Sequence, residues 1–390
     1  MTIAPEYYTQ QIPGGEICVC VENSEMPQHE LFTFAARNNP KRAFLFLSKV
    51  LGKHLPVAPA KMQEVHERIA HKIPPLPEPV LFIGMAETAT ALGQGVFEAW
   101  LRTHPAHEAL YVHTTRYRVK DAEPIEFEES HSHAPRVFLH CPTSPDLKAL
   151  FEQARSVVLI DDEISTGNTF VNLVAACRRL AVDIEFVHLA TITDFMGTGR
   201  RAELTREIGL PVTTGAIMEG TWTFTPGSLL HAPAPAAQAL HGAEVVIVDG
   251  GFGRTGRTTP LEIPAAVVRS LVARLVLGRD TLVLGTGEFM HAAFVLGRAL
   301  AESGSSLFVH ATTRSPIMAW GPIVSIESFD DNYGEGVLNY LYNMTPDRYG
   351  HIFICHETAP CPALYEIADR LGASLIHFHS ENAIEESPVC

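Results

Sequence analysis

Two adjacent carboxylates followed by a run of small and hydroxyl-bearing residues mark the stretch of this chain best equipped for chemistry. Residues 157–169 read Val-Val-Leu-Ile-Asp-Asp-Glu-Ile-Ser-Thr-Gly-Asn-Thr. Four apolar residues predict a strand carrying Asp161 and Asp162 at its edge. Ser165, Thr166, Gly167, Asn168 and Thr169 then turn the chain into a helix from about Phe170 to Leu180. Small side chains let a phosphate approach the backbone, and the free N–H groups and dipole of a helix start favour an anion. Gly167 adds torsional freedom that a larger residue lacks. An acid pair beside an anion cradle suits a ligand with a ribose diol and a 5′-phosphate, the diol donating to the carboxylates. Capping of the helix accounts for one oxygen-bearing residue at such a turn, but not for two carboxylates followed by Ser-Thr-Gly-Asn-Thr.

The elements that must position these residues occur twice. Val80-Leu81-Phe82-Ile83-Gly84 is an apolar run ending in Gly, followed by Met85-Ala86-Glu87 and a helical stretch from about Thr88 to Leu101. Thr281-Leu282-Val283-Leu284-Gly285, then Thr286-Gly287-Glu288 and a helical stretch to about Ser303, has the same layout. Ala109–Arg116 matches Ser306–Arg314, and Val157–Glu163 matches His351–Glu357. The offsets, 288 − 87 = 201, 314 − 116 = 198 and 357 − 163 = 194, fall in one order with a slow drift. This pattern predicts an internal duplication of one α/β unit. Continuous Val/Ile/Leu runs suit parallel strands covered on both faces, and their alternation with helices predicts two doubly wound parallel-sheet, Rossmann-like lobes. Ligands of such sheets sit beyond the carboxyl ends of the strands, where Glu87, Arg116, Asp161 and Asp162 fall in one copy and Glu288, Arg314 and Glu357 in the other.

Composition narrows the function classes. With 29 Lys+Arg against 44 Asp+Glu over 390 residues, the formal net charge is −15, which argues against general nucleic-acid binding. No apolar run reaches the roughly 20 residues of a membrane helix, and the N-terminus lacks the regions of a signal peptide. Seven scattered cysteines suit reduced thiols. The expectation is a cytoplasmic protein without a membrane partner. Cys355-His356-Glu357 with Pro360-Cys361, and Cys18-x-Cys20, lack the spacing of a structural zinc site, which we do not expect there.

The 157–169 segment resembles the phosphoribosyl-pyrophosphate (PRPP) signature of type I phosphoribosyltransferases, with one departure: Glu163 stands where that family usually has an aliphatic residue. The resemblance implies a Mg²⁺-dependent enzyme that transfers the phosphoribosyl group of PRPP to a nitrogenous base or related small molecule with release of pyrophosphate. It implies catalytic and Mg²⁺-holding roles for Asp161 and Asp162, directly or through water, with Glu163 beside them, and a 5′-phosphate site at residues 165–169. Purine-salvage members place an acid where Ser165 stands, so the segment looks more similar to the orotate type. Met85, Ala86, Glu87 and Thr88 fall where the family has its pyrophosphate loop, and Arg116 and Arg118 where it brings cations to that group. Residues Asp121 to Pro135 read as the flexible loop of the family, with His131 and His133 as candidates for contact with pyrophosphate or the nucleophile. An exposed His-Ser-His also reads as a merely solubilising stretch. Arg37 to Phe46 is open to two readings, part of a nucleophile-recognising hood or a basic helix start on the surface.

A wider resemblance covers nearly the whole chain. Thr313-Arg314-Ser315-Pro316 looks like the signature of the TRSP domain, found after a phosphoribosyltransferase domain in bacterial tellurite-resistance and stress-response clusters. The implied division is 1–228 for the phosphoribosyltransferase-like domain with its hood, 229–241 for a linker, and 242–390 for a degenerate second lobe whose strand opens at Glu244–Asp249. In that lobe Cys355-His356 replaces the acid pair, and Thr358-Ala359-Pro360-Cys361-Pro362 replaces the phosphate turn; proline has no N–H for an anion. Glu288 and Arg314 are its retained candidates, and Arg254 and Arg257 form a flexible cationic stretch, a candidate second anion site. The fused copies could imitate a dimer within one chain, or the chain could form a homodimer. A PRPP-sensing regulator and an enzyme that cleaves a phosphoribosyl compound are the alternatives in function.

Overall fold

Each apolar run that the sequence repeats forms a strand of a parallel sheet. In the computed structural model, which describes residues 5–37, 42–128, 136–179, 183–227 and 247–387, the first sheet has seven strands. Their order is Glu6–Ile12, Gly15–Ser24, Val212–Pro226, Phe186–Asp194, Ser156–Ile164, Val80–Gly84 and Ala109–His113. The last five are mutually parallel, and the first two close one edge as an antiparallel pair. The second sheet runs Leu307–Ala311, Asp280–Gly285, Tyr349–His356, Ser374–Ser380 and Ala383–Ser387, parallel except for the last strand. The order of four matched strands is therefore the same in both lobes, as the duplication requires.

The register sharpens the match by one residue. Gly84 pairs with Ile160, and its counterpart Gly285 pairs with Cys355. Asp161 thus corresponds to His356, and Asp162 to Glu357. The expected pairing of Asp161-Asp162 with Cys355-His356 is corrected: it followed the shared Glu163/Glu357 identity, whereas the ladder is set by backbone hydrogen bonds.

Helix Thr90–Thr103 is buried along one unbroken run from Thr90 to Trp100. A helix covered on all sides belongs in a core, and this one lies between its own sheet and helix His291–Ala301 of the other lobe. Its approach to the strand needs glycine, since a Cβ at Gly93 would come within 2.7 Å of Gly84 Cα. The hood is a hairpin of Phe32–Ala36 and Phe44–Ser48, so the helix-start reading of residues 37–46 is not what forms. Alternating aromatic residues hold it down, with Phe46 stacked on Phe195 at 4.7 Å between centroids.

Two further expectations change. Part of the stretch read as a loop from Asp121 to Pro135 is a hairpin, Pro124–Glu128 with Arg136–His140. Ile125 and Phe127 are buried on either side of exposed Glu126, a period-two signal masked by the charged residues around it. A matching hairpin, Ile326–Asp330 with Leu338–Tyr342, stands in the second lobe. The strand expected at Glu244–Asp249 is described as Ile247–Val248, and it pairs with Arg118–Val119 of the first lobe rather than opening the second sheet. The linker at 229–241, like His131 and His133, lies outside the described residues. No helix among the described residues is long and apolar enough to cross a membrane, and Cys18, Cys20, Cys141, Cys177, Cys355 and Cys361 are free thiols.

Candidate active site

The acid-bearing strand is flanked on both sides, which buries Val157 to Ile160 fully. Its neighbour Val80–Gly84 ends opposite Ile160, so Asp161, Asp162 and Glu163 emerge half-buried at the carboxyl edge. The Asp162 amide donates to Asp161 Oδ1 at 2.9 Å. Burial, then the charge of Glu163, pushes the Asp162 carboxyl up to about 6. Arg42 of the hood pairs with Glu163. Arg37 stands within electrostatic reach of Glu163 and Asp162 and donates to Ser315 Oγ of the second lobe at 2.7 Å.

The following turn has the form expected of an anion cradle. Gly167 has φ of 72°, and a Cβ there would lie 2.1 Å from Leu204 Cδ1. Among the described residues no protein group accepts from the amides of Ser165, Thr166 or Gly167, and the Asn168 amide has a long 3.5 Å bond to Thr166 Oγ1. Helix Asn168–Arg178 starts there, half-exposed at Thr169. Arg200, which sequence reasoning missed, fixes the turn from behind. Its Nε donates to the Thr166 carbonyl at 2.6 Å and its Nη2 to Asn168 Oδ1 at 2.9 Å.

The Met85–Thr88 loop stands beside this strand, its Met85 amide donating to the Ile160 carbonyl at 3.0 Å and its Ala86 amide to Thr114 Oγ1 at 2.8 Å. The second lobe repeats the latter bond, from Gly287 N to Thr312 Oγ1, also at 2.8 Å. The two loops then exchange partners. Glu87 Oε1 is ion-paired with Lys53 Nζ at 2.7 Å, and its Oε2 lies 3.5 Å from Arg314 Nε of the second lobe. In return Glu288 accepts from Thr115 Oγ1 at 2.6 Å and from the Arg116 amide at 2.9 Å. Burial opposes the charge on Glu87, but Lys53 and Arg314 together hold its carboxyl well below the usual range. Arg314 and Arg116 are matched positions, so each lobe's glutamate is met by the other lobe's Thr-Arg turn. Such reciprocity is the mark of an isologous dimer contact, here built within one chain. Tyr117 completes it by stacking on Tyr333 at 4.4 Å.

Arg118 is not drawn into this network; it pairs with Glu126 on the neighbouring hairpin at 3.1 Å, exposed to solvent. In the second lobe, Glu357 is gripped at both oxygens by Arg254, at 2.6 and 2.5 Å, and accepts from Tyr333 Oη at 2.7 Å. Arg257 pairs with Glu381 at 2.8 Å. The flexible cationic stretch expected at 250–257 is therefore corrected. Its backbone bridges to the edge strand of the first lobe, with Tyr111 and Arg257 exchanging amide bonds of 2.9 Å each way, and both guanidiniums are already paired. Lys53, Arg200, Tyr117, Tyr333 and Glu335 were the residues sequence reasoning missed; only the matched position of the two hairpins could have pointed to the last two.

Residues 31–221 match the model of a phosphoribosyl transferase family, and residues 250–371 match the model of the TRSP domain that follows it. Among solved structures, the adenine phosphoribosyltransferase of Rhodothermus marinus is similar at 15% identity, covering 48% of this chain and 94% of its own, with a TM-score of 0.32. That of Trypanosoma brucei is similar at 10% identity, covering 55% and 87%, with a TM-score of 0.35. The orotate phosphoribosyltransferase of Francisella tularensis is similar at 12% identity, covering 47% and 78%, with a TM-score of 0.29. No curated protein matches the chain.

Proposed function

The chain belongs to the phosphoribosyl transferase family, with a TRSP domain at its C-terminal side, and on that premise we propose that its first lobe transfers the phosphoribosyl group of PRPP to a nitrogenous base or related small molecule. One observation carries this reading: two half-buried carboxylates end a central strand and are followed directly by a turn in which the amides of Ser165, Thr166 and Gly167 have no protein acceptor among the described residues. The turn at Ser165–Thr169 receives the 5′-phosphate. Asp161 and Asp162 accept from the ribose hydroxyls, and their charge favours the cationic, oxocarbenium-like transition state. The Met85–Thr88 loop and the Arg116 turn, fixed by the second lobe, border the space for pyrophosphate.

The donor set fits Mg²⁺. Three adjacent carboxylates share the nearby charge of Arg42, and burial, then the charge of Glu163, keeps the Asp162 proton affinity high, which a dication relieves. Mg²⁺ binds through few carboxylates together with substrate oxygens, and Asp161 and Asp162 would hold it. When bound, it supplies charge neutralisation at the departing pyrophosphate. The enzyme's product belongs to nucleotide or nucleoside-like metabolism, with the link to stress response that the resemblance of the domain pair implies.

The test is pyrophosphate release from PRPP and Mg²⁺ over a panel of nucleobases and small heterocycles. At least one nucleophile is expected to give turnover that needs Asp162. Tight PRPP binding with no release across the panel would assign the site to sensing instead.

A further inference from the structure

The row of second-lobe residues that takes over from Asp161 carries histidines. His356 ends its strand and pairs in register with His377, which in turn pairs with Glu385 on the edge strand. The ladder is irregular between Phe378 and Ser380, and His379, at that irregularity, lies with its ring against that of His377. We propose that His377, His379 and Glu385 form a binding site for a transition-metal dication of the zinc class.

One ligand atom from each of these residues lies within 4.8 Å of the other two. His379 Nε2 is 2.6 Å from Glu385 Oε1, and the rings of His377 and His379 have centroids 3.8 Å apart. Metal–nitrogen and metal–oxygen bonds of about 2.0–2.2 Å need the ligand atoms somewhat closer together. His379 and Glu385 are exposed and free to turn inward, while His377 is buried. His356 stacks on it at 4.7 Å, with ring planes 14° apart.

His356, beside this site, keeps an unused lone pair. His356 Nδ1 lies 2.9 Å from the Thr358 carbonyl, so that nitrogen donates and Nε2 keeps its lone pair. That Nε2 is buried without a partner. Two imidazoles and one carboxylate suit zinc-class ions rather than Mg²⁺ or Ca²⁺, which prefer all-oxygen sets. Three protein ligands leave the fourth position open to solvent. An exposed His379–Glu385 ion pair alone would contribute little, so the convergence of a third ligand is the informative feature. The site is separate from the cysteine-containing spacings in which zinc was not expected.

The experiment uses the full chain, stripped with a chelator and titrated with Zn²⁺ by calorimetry and with Co²⁺ by visible absorption. One equivalent is expected at micromolar affinity or tighter, with a cobalt spectrum of low coordination number. His379→Ala and Glu385→Gln, both at exposed positions, should each weaken Zn²⁺ binding at least tenfold, with unchanged circular dichroism. His131→Ala with His133→Ala serves as the control and should leave it unchanged. Absence of binding up to about a hundred micromolar, affinity unaltered in His379→Ala, or loss of the equivalent in the control would each overturn the proposal.

Discussion

Asp162 and Glu357 occupy one position in two copies of the same sheet, and their surroundings have diverged in opposite senses. Asp162 sits beside two more carboxylates with one arginine paired to Glu163, and its proton affinity is raised. Glu357 is clasped by Arg254 and Tyr333, and although burial opposes its charge, Arg254 holds its carboxyl below the usual range. An acid kept short of counter-charge can serve a ligand that brings its own hydroxyls and cation. An acid already neutralised serves the structure. The second lobe has also closed its hairpin tip on itself, with Glu335 on Arg314, and begins its following helix at Pro362 after an extended Cys361. The first lobe has Gly167 in the left-handed region at that point. One copy keeps a cradle; the other fills it.

The sharpest way to break this comparison is to remove the charge from each acid. Asp162→Asn should lower turnover by about a thousandfold, the scale of losing one preorganised charge at a transition state, in the pyrophosphate-release assay. The same variant should gain about 1–2 kcal/mol of stability at pH 7–8 by denaturant melting. A raised folded-state value means that ionised Asp162 opposes folding above about pH 6 and ceases to do so as the pH falls toward the usual aspartate range. Wild-type-like turnover would remove Asp162 from the mechanism.

Arg254→Ala tests the other lobe. It leaves Glu357 buried without its partner, which typically costs about 3–5 kcal/mol, measured by urea denaturation. A loss below about 1 kcal/mol would mean that the second lobe's plug carries no structural weight. Glu357 has the opposite pH sense to Asp162: its contribution is present above the usual glutamate range and is lost as the pH falls through its lowered folded value.

Smaller effects probe the exchange between the lobes and the acid pair. Glu288→Gln keeps the shape but removes the charge that holds Thr115 and the Arg116 amide. Hydrogen bonds to charged groups are worth about 1.5–3 kcal/mol, so stability should fall by up to about that much and KM for PRPP should rise about tenfold. An unchanged KM would make the second lobe a passive neighbour. With the intact chain, kcat/KM should fall as the pH drops through about 6 because Asp162 takes up its proton; a flat profile from pH 5 to 8 would contradict this.

Much of the first lobe was legible from its residues. Four-residue apolar runs ending in Gly or Asp give strand ends directly, and the run of small polar residues after Glu163 marks the turn. The contacts that join the lobes were not. Lys53 lies in Leu51-Gly52-Lys53-His54-Leu55, which has no chemistry-bearing pattern, and its partners Glu87 and Gly287 are far along the chain. Tyr117 follows the Thr115-Arg116 turn of one lobe and Tyr333 lies between the hairpin strands of the other, so only the folded chain brings them together. The one-residue shift between Asp162 and Glu357 was hidden because matching identities outweigh register when only letters are compared. Arg254 read as flexible because four glycines surround it, yet those glycines let the segment lie against Tyr111 and His113: a Cβ at Gly253 would come within 2.9 Å of the Tyr111 ring.

The most direct measurement is calorimetric titration of the whole chain with PRPP and Mg²⁺. The asymmetry between the lobes predicts one equivalent bound, weakened at least a hundredfold by Thr166→Glu, which sets a carboxylate in the phosphate turn, and unaffected by His379→Ala. Two equivalents per chain, or one that survives Thr166→Glu unchanged, would contradict it.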